Sequence, residues 1–319
     1  MSTGETHDAT RAFEEAQRQL FAASEVTIAT RRVRLADPPL AVRVIEAGAG
    51  PPLLLVHGSG TSASTWAPLM PHLPGHRLIA LDLPGFGLSD PLDYGGRSLR
   101  EHAVAQLTSL LDVLDLERVA IVGTSLGAMW ALCLAVEAPQ RVTAVASLGV
   151  PAIALRGMRG DPFFTALSTP GLRHVVARMG SPSVAITRRS MAWGALGPRA
   201  AERAPEGFFA TVHEGMRQPG FRAAMVSHMW LAMRMGRPRA ENFLSDAELR
   251  DIAAPVLMIW GDKDPYGSPT IGRRAAGIMR DAQLEVIPGR HAPFLDDPEH
   301  CGLLIGELLG RAPPPVLRR

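Results

Sequence analysis

The chemistry of this chain is most legible at Ser125, a hydroxyl set between two glycines in Gly123-Thr124-Ser125-Leu126-Gly127. A serine hydroxyl is a weak nucleophile. It attacks a carbonyl only with a general base beside it and a group behind that base to orient it. Both partners are available downstream. Of the ten histidines, His291 is the best placed. It follows the apolar run "LEVIPG" in a short loop, where an imidazole can reach over strand ends. His57 opens a Gly-rich loop and reads as its support. His174, His213 and His228 fall in a long insertion, and of these His228 could face a pocket. The segment Gly261-Asp262-Lys263-Asp264-Pro265 supplies two carboxylates, either of which could orient the base.

Such a serine must be exposed at a strand end and still be held rigidly. Around Ser125 the chain reads "VAIVGTSLGAMWALCLAV", eighteen residues with no charge. That length reaches the lower limit for a membrane span. The two halves differ, however. Val119–Val122 is a β-branched apolar run suited to a buried strand, and Ala128–Val136 is rich in helix formers and stops at Ala138-Pro139. A strand, a sharp turn and a buried helix are expected. Gly123 and Gly127 would remove side chains where strand and helix collide. The helix dipole would favour negative charge near Ser125. The plainer alternative is a serine that only caps a helix.

The rest of the chain alternates in the same way. "VTIATRRVRL" and "LAVRVIEAG" alternate as half-exposed edge strands do. "PLLLVHG", "HRLIALDLPG", "RVAIVG", "RVTAVASLGV", "APVLMIWGD" and "AQLEVIPG" read as further strands. Helices are expected near 8–24, 99–114, 125–137, 268–279 and 298–309. This order predicts an α/β fold with a mostly parallel central sheet flanked by helices. Residues 1–150 and 251–319 would form the core, with an N-terminal extension over about 1–25. Residues 151–250 would form an inserted helical cap. The tail "RAPPPVLRR" reads as frayed.

Composition limits the function. The 319 residues are 46% hydrophobic and carry a net charge of +2, too balanced for a nucleic-acid binder with a global basic field. The insertion is an exception, with fourteen Arg against seven Asp plus Glu over residues 151–250. The N-terminus has no apolar leader segment. Cys133 and Cys301 sit in apolar helical contexts and suggest no disulfide framework. A cytoplasmic protein without membrane segments is the expectation. "HGSGTS" lacks the spacing of a nucleotide loop, and no His/Cys cluster has metal spacing. No cofactor and no metal are inferred. The partner expected is a small-molecule substrate, and the oligomeric state is left open.

Local signatures in order resemble the α/β-hydrolase superfamily over residues 40–310. "LLVHGSG" at 54–60 is similar to its oxyanion-hole loop, "LDLPGFGLSDP" at 81–91 to its Asp-x-Pro-Gly-x-Gly-x-Ser turn, and "GTSLG" at 123–127 to its nucleophile elbow. "WGDKDP" at 260–265 and "PGRHAPFLDDPE" at 288–299 are similar to the segments bearing its acid and histidine. The resemblance implies a triad of Ser125, Asp264 and His291, with Asp262 as a turn residue. It also implies an oxyanion hole made by the backbone N–H groups of Ser59 and Leu126. The Ser59 hydroxyl is a further candidate contact.

The same resemblance narrows the activity. Haloalkane dehalogenases and soluble epoxide hydrolases of this superfamily carry Asp at the elbow, and this chain carries Ser125. Esterases, lactonases, thioesterases, amidases, cofactor-free perhydrolases and carbon–carbon hydrolases of dienoic acids use serine. The carbon–carbon hydrolases usually follow their histidine with Trp, whereas Ala292 stands here. The expectation is therefore a serine hydrolase of an ester, lactone or related acyl bond in a small, largely apolar substrate. Carbon–carbon hydrolysis or perhydrolysis is the alternative, followed by a non-hydrolytic isomerase, a cyclase or a ligand receptor of this fold. Met225, Met229 and Met233 recur every four residues, with Val226 and Trp230 nearby. Either this face packs a cap helix, or Met225, Met229 and Trp230 line an adaptable apolar pocket. The arginine excess could draw an anionic substrate.

Overall fold

A computed structural model describes residues 3–173, 175 and 183–317. Eight strands form the main path of one sheet: β1 Ile28–Arg34, β2 Ala41–Ala47, β3 Pro52–Val56, β4 Arg77–Leu81, β5 Leu116–Thr124, β6 Val142–Leu148, β9 Val256–Gly261 and β10 Ala282–Ile287. Their spatial order is β1-β2-β4-β3-β5-β6-β9-β10. From β4 to β10 every neighbouring pair is parallel; β1–β2 and β2–β4 are antiparallel. The expected mostly parallel sheet is thus present. β2 departs from the half-exposed reading: it lies between β1 and β4 and is buried along most of its length.

Period-two alternation splits the core between the two faces of the sheet. Leu54, Val56, Ile79, Leu81, Ile121 and Val145 belong to one apolar cluster. Leu53, Leu55, Leu78, Ala80, Val122 and Ala146 belong to the other. Helices α1 Thr3–Ala23, α2 Leu99–Val113 and α3 Leu126–Glu137 are the long ones of the N-terminal half. All residues of α3 from Leu126 to Ala135 are buried. That explains the uncharged stretch: it is a central strand and a helix sunk in the core. No described helix is long and apolar enough to cross a membrane.

Between β6 and β9 the chain leaves the sheet and forms short helices, among them Pro162–Leu167, Val184–Met191, Phe208–Met216 and Phe221–Ala232. It also forms a two-stranded ribbon, β7 Met233–Arg234 with β8 Arg237–Pro238, which the helical reading of this insertion lacks. Met235 and Gly236 both take positive φ, the geometry of a two-residue hairpin turn. Met233 therefore belongs to a strand and does not extend the face of Met225 and Met229.

Helix α1 ties the insertion to the sheet. Its Phe13, Leu20 and Phe21 are buried. A Cβ on Gly207 would sit 2.7 Å from Leu20 N, so only glycine allows this approach. From the same helix Gln17 hydrogen-bonds Ser64 and accepts from Arg43. The C-terminal tail is not free: Val316–Leu317 forms β11 and pairs antiparallel with β5.

Candidate active site

The site begins where β5 meets α3. Ser125 takes φ 52° and ψ −114°, a strained conformation for a residue with a side chain. The flanking glycines make it possible. A Cβ on Gly123 would lie 2.5 Å from Ala128 N, and one on Gly127 only 2.0 Å from Val56 O. Ser125 makes no side-chain cap to its own helix. Leu126 is the first residue of α3, so its amide is among those an α-helix leaves without an internal acceptor.

His291 and Asp264 meet behind the strand ends. His291 Nδ1 lies 2.8 Å from Asp264 Oδ2. The same oxygen accepts from Val150 N at 3.1 Å, and Oδ1 accepts from Tyr266 N at 3.0 Å. With Nδ1–H given to Asp264, the imidazole keeps its Nε2 lone pair for a proton. The Tyr266 ring stands edge-on to the imidazole at 4.5 Å. The insertion also holds this loop. His291 N donates to Ala195 O at 3.0 Å, and the Arg290 guanidinium donates to the carbonyls of Trp193 and Gly194 at 2.7 and 2.8 Å. Asp262 does not touch the imidazole; its carboxylate accepts from Gly289 N and braces the turn.

The loop 57–60 passes beside the serine. A Cβ on Gly58 would be 3.0 Å from Ser125 Cβ. His57 fastens this loop: Nδ1 lies 2.7 Å from Gly58 O, and Nε2 accepts from Leu83 N at 3.0 Å. Asp82 fastens the next turn by accepting from Ala63 N and Leu88 N. A Cβ on Gly87 would clash with that carboxylate at 2.3 Å. His228 is buried, with Nε2 3.0 Å from Ser59 Oγ. His213 is half-buried near Glu214, and His174 lies outside the described residues.

Burial lowers the pKa of His57, His102 and His228, the last to about 3. An unfolded histidine titrates near 6.5, so below that pH the unfolded chain takes up protons the folded one refuses. This stability is present above pH 6.5 and is lost as pH falls. His228 alone would cost roughly 1.4 kcal/mol at pH 5.5. The melting temperature should therefore drop clearly between pH 7.5 and pH 5.5. A flat or rising Tm over that window would contradict neutral burial of these rings.

Ser59, Ser125 and His291 line one cavity of about 110 Å³. Its apolar wall includes Phe164, Met191, Leu196, Phe208, Phe294 and Leu295; its polar wall includes Thr61, Thr65 and Tyr266. No Arg or Lys is among the described lining residues. The expected pocket face of Met225, Met229 and Trp230 is not part of this cavity's described lining. Met225 and Met229 are 6% and 5% exposed and pack in the core, and they do not line this cavity. Trp230 is half-buried, with Arg173 over its ring at 4.3 Å and Arg239 at 5.5 Å. A helical repeat of Met reports burial, not the body that covers it. The wall of this cavity comes from separated segments, among them "HAPFL" beside His291. Met229→Ala should thus cost about 2–5 kcal/mol of stability with substrate-size preference unchanged, whereas Leu196→Ala should shift preference toward bulkier substrates. Thermal melts and kcat/KM over a size series of substrates check both; a preference shift in Met229→Ala would refute this placement.

A model of the alpha/beta hydrolase family matches residues 53–300. A 2-hydroxy-6-oxo-2,4-heptadienoate hydrolase of Pseudomonas putida is 31% identical, over 81% of this chain and 88% of its own. A 2-hydroxy-6-oxononadienedioate/2-hydroxy-6-oxononatrienedioate hydrolase of Paraburkholderia xenovorans is 28% identical, over 80% and 85%. The solved 2-hydroxy-6-oxo-6-phenylhexa-2,4-dienoate hydrolase of Rhodococcus sp. strain RHA1 shares the fold, with a TM-score of 0.71 and 23% identity over 89% of this chain and 99% of its own. On the breadth of the family match and the 31% identity, the chain belongs to the alpha/beta hydrolase family and is a hydrolase.

Proposed function

We propose that this enzyme is a serine hydrolase of small, uncharged esters or lactones that works through an acyl-enzyme on Ser125. The observation that carries the reading is the oriented His291–Asp264 pair opening, with Ser125, on a small cavity without a described cation. Ser125 Oγ attacks the substrate carbonyl and its proton passes to His291 Nε2. The amides of Leu126 and Ser59 receive the oxyanion. His291 then protonates the departing alkoxide. Water, deprotonated by His291, releases the acid and restores the serine. Residues 151–250 act as a cap, since Phe164, Met191, Leu196 and Phe208 close the cavity from that segment.

The similarity to dienoate hydrolases favours a second reading, cleavage of a carbon–carbon bond next to a ketone. Two features weigh against it. Ala292 follows His291 where those hydrolases usually carry Trp. Their substrates also bear a carboxylate, and the described lining residues offer it no cation, so burying it among them is costly. The two readings separate on kcat/KM for p-nitrophenyl acetate and butyrate against 2-hydroxy-6-oxo-2,4-heptadienoate. An unpaired buried carboxylate should disfavour the dienoate by about 100-fold or more. The reverse ranking would overturn the ester reading and promote the carbon–carbon one.

A further inference from the structure

His228 stands outside the proposed triad, yet it reaches the oxyanion loop. It lies on the helix Phe221–Ala232 and is 1% exposed. Phe86 and Tyr94 flank its ring, with centroids at 6.3 and 6.1 Å. Nε2 is 3.0 Å from Ser59 Oγ, and Nδ1 is buried with no hydrogen-bond partner among the described residues. The ring is neutral, because burial pushes its pKa down to about 3. It therefore carries a single N–H, and where that hydrogen sits decides what Ser59 can do.

A hydrogen on Nδ1 would be a buried donor without an acceptor, a rare arrangement that costs about 1–3 kcal/mol. Ser59 would then spend its own hydrogen on Nε2. A hydrogen on Nε2 leaves only a lone pair unused at Nδ1, and Nε2–H donates to Ser59 Oγ. The second arrangement keeps the Ser59 hydroxyl hydrogen free. Ser59 lines the cavity with Ser125, and the neighbouring Gly58 packs against Ser125 Cβ. A hydroxyl that already accepts one hydrogen bond is also polarised as a donor.

We propose that His228 is a positioning residue: it holds Ser59 so that the serine hydroxyl, beside the Ser59 amide, donates to the oxyanion formed when Ser125 attacks. The inference rests on the acyl-enzyme reading above. It makes the seating of the helix Phe221–Ala232 a condition for a complete oxyanion hole.

The test uses the full-length enzyme and the variants Ser59→Ala, His228→Leu, His228→Gln and the Ser59→Ala/His228→Leu double. The readouts are kcat and KM on p-nitrophenyl butyrate and the affinity for butylboronic acid, which mimics the tetrahedral adduct. A hydrogen bond to a charged oxygen is worth about 10- to 100-fold. Ser59→Ala and His228→Leu should each lower kcat by about that factor, with KM nearly unchanged and boronate affinity falling in step. The double variant should be no worse than either single, because both remove one interaction. His228→Gln, which keeps an N–H donor, should recover most of the loss. Losses that multiply in the double variant would overturn the proposal. So would a His228→Leu enzyme that loses melting temperature but keeps kcat. If His228→Leu does not fold, Ser59→Ala and His228→Gln still decide, since wild-type kcat in Ser59→Ala is fatal on its own. A wild-type enzyme that no fluorophosphonate labels at Ser125 would remove the acyl-enzyme reading and this inference together. A labelled wild type with multiplying losses removes this inference alone.

Discussion

Ser125→Ala should lower ester turnover by a factor on the order of a thousand or more and leave the fold intact. The substitution removes one hydroxyl that makes no cap to its own helix. Nothing in the core is opened. Alanine also keeps the backbone demand at φ 52°, so the strained turn is retained. The residual rate would come from binding and the oxyanion amides, which survive the change. Circular dichroism and the melting temperature should match the wild type, while kcat on p-nitrophenyl butyrate collapses. Undiminished turnover in a cleanly purified variant would refute Ser125 as the nucleophile.

Asp264→Asn is the second large effect. The Asp264 carboxylate accepts from His291 Nδ1, Val150 N and Tyr266 N. An amide can present an N–H to the imidazole and select the wrong tautomer, which takes away the lone pair that must receive the Ser125 proton. A loss of about ten-thousandfold in kcat is expected, by analogy with the same change in other triads. Asp262→Asn should cost far less. Among the described residues, Asp262 accepts from Gly289 N at 2.9 Å, and an amide oxygen can still accept that bond. A dead Asp262→Asn beside a near-normal Asp264→Asn would reverse the assignment.

The elbow was legible because steric demand leaves few options. Two glycines around a serine, between a β-branched run and a helix former run, describe a turn too tight for other side chains. The contacts at Gly123 and Gly127 show how little room there is. The sheet was legible for a similar reason, since buried parallel strands need continuous apolar runs. Asp264 and Asp262 were not separable by residue type; two carboxylates two residues apart differ only in which way the turn sends them. The cavity wall was hidden because Phe164, Leu196, Phe208 and Phe294 are far apart in sequence and share no period. The Met225–Met229–Met233 spacing concealed a helix end, because a two-residue hairpin at Met235-Gly236 has no Asn-Gly signature. The tail strand at Val316–Leu317 follows three prolines that read as an end of order.

The most direct measurement is labelling by a fluorophosphonate probe, read by mass spectrometry of the tryptic peptide spanning residues 119–141. The probe phosphonylates a serine only where the hydroxyl is activated and the oxyanion is received. The account predicts one adduct on the wild-type enzyme, located at Ser125, and none on that peptide in Ser125→Ala. A catalytically active wild-type enzyme that carries no adduct at Ser125 would contradict it.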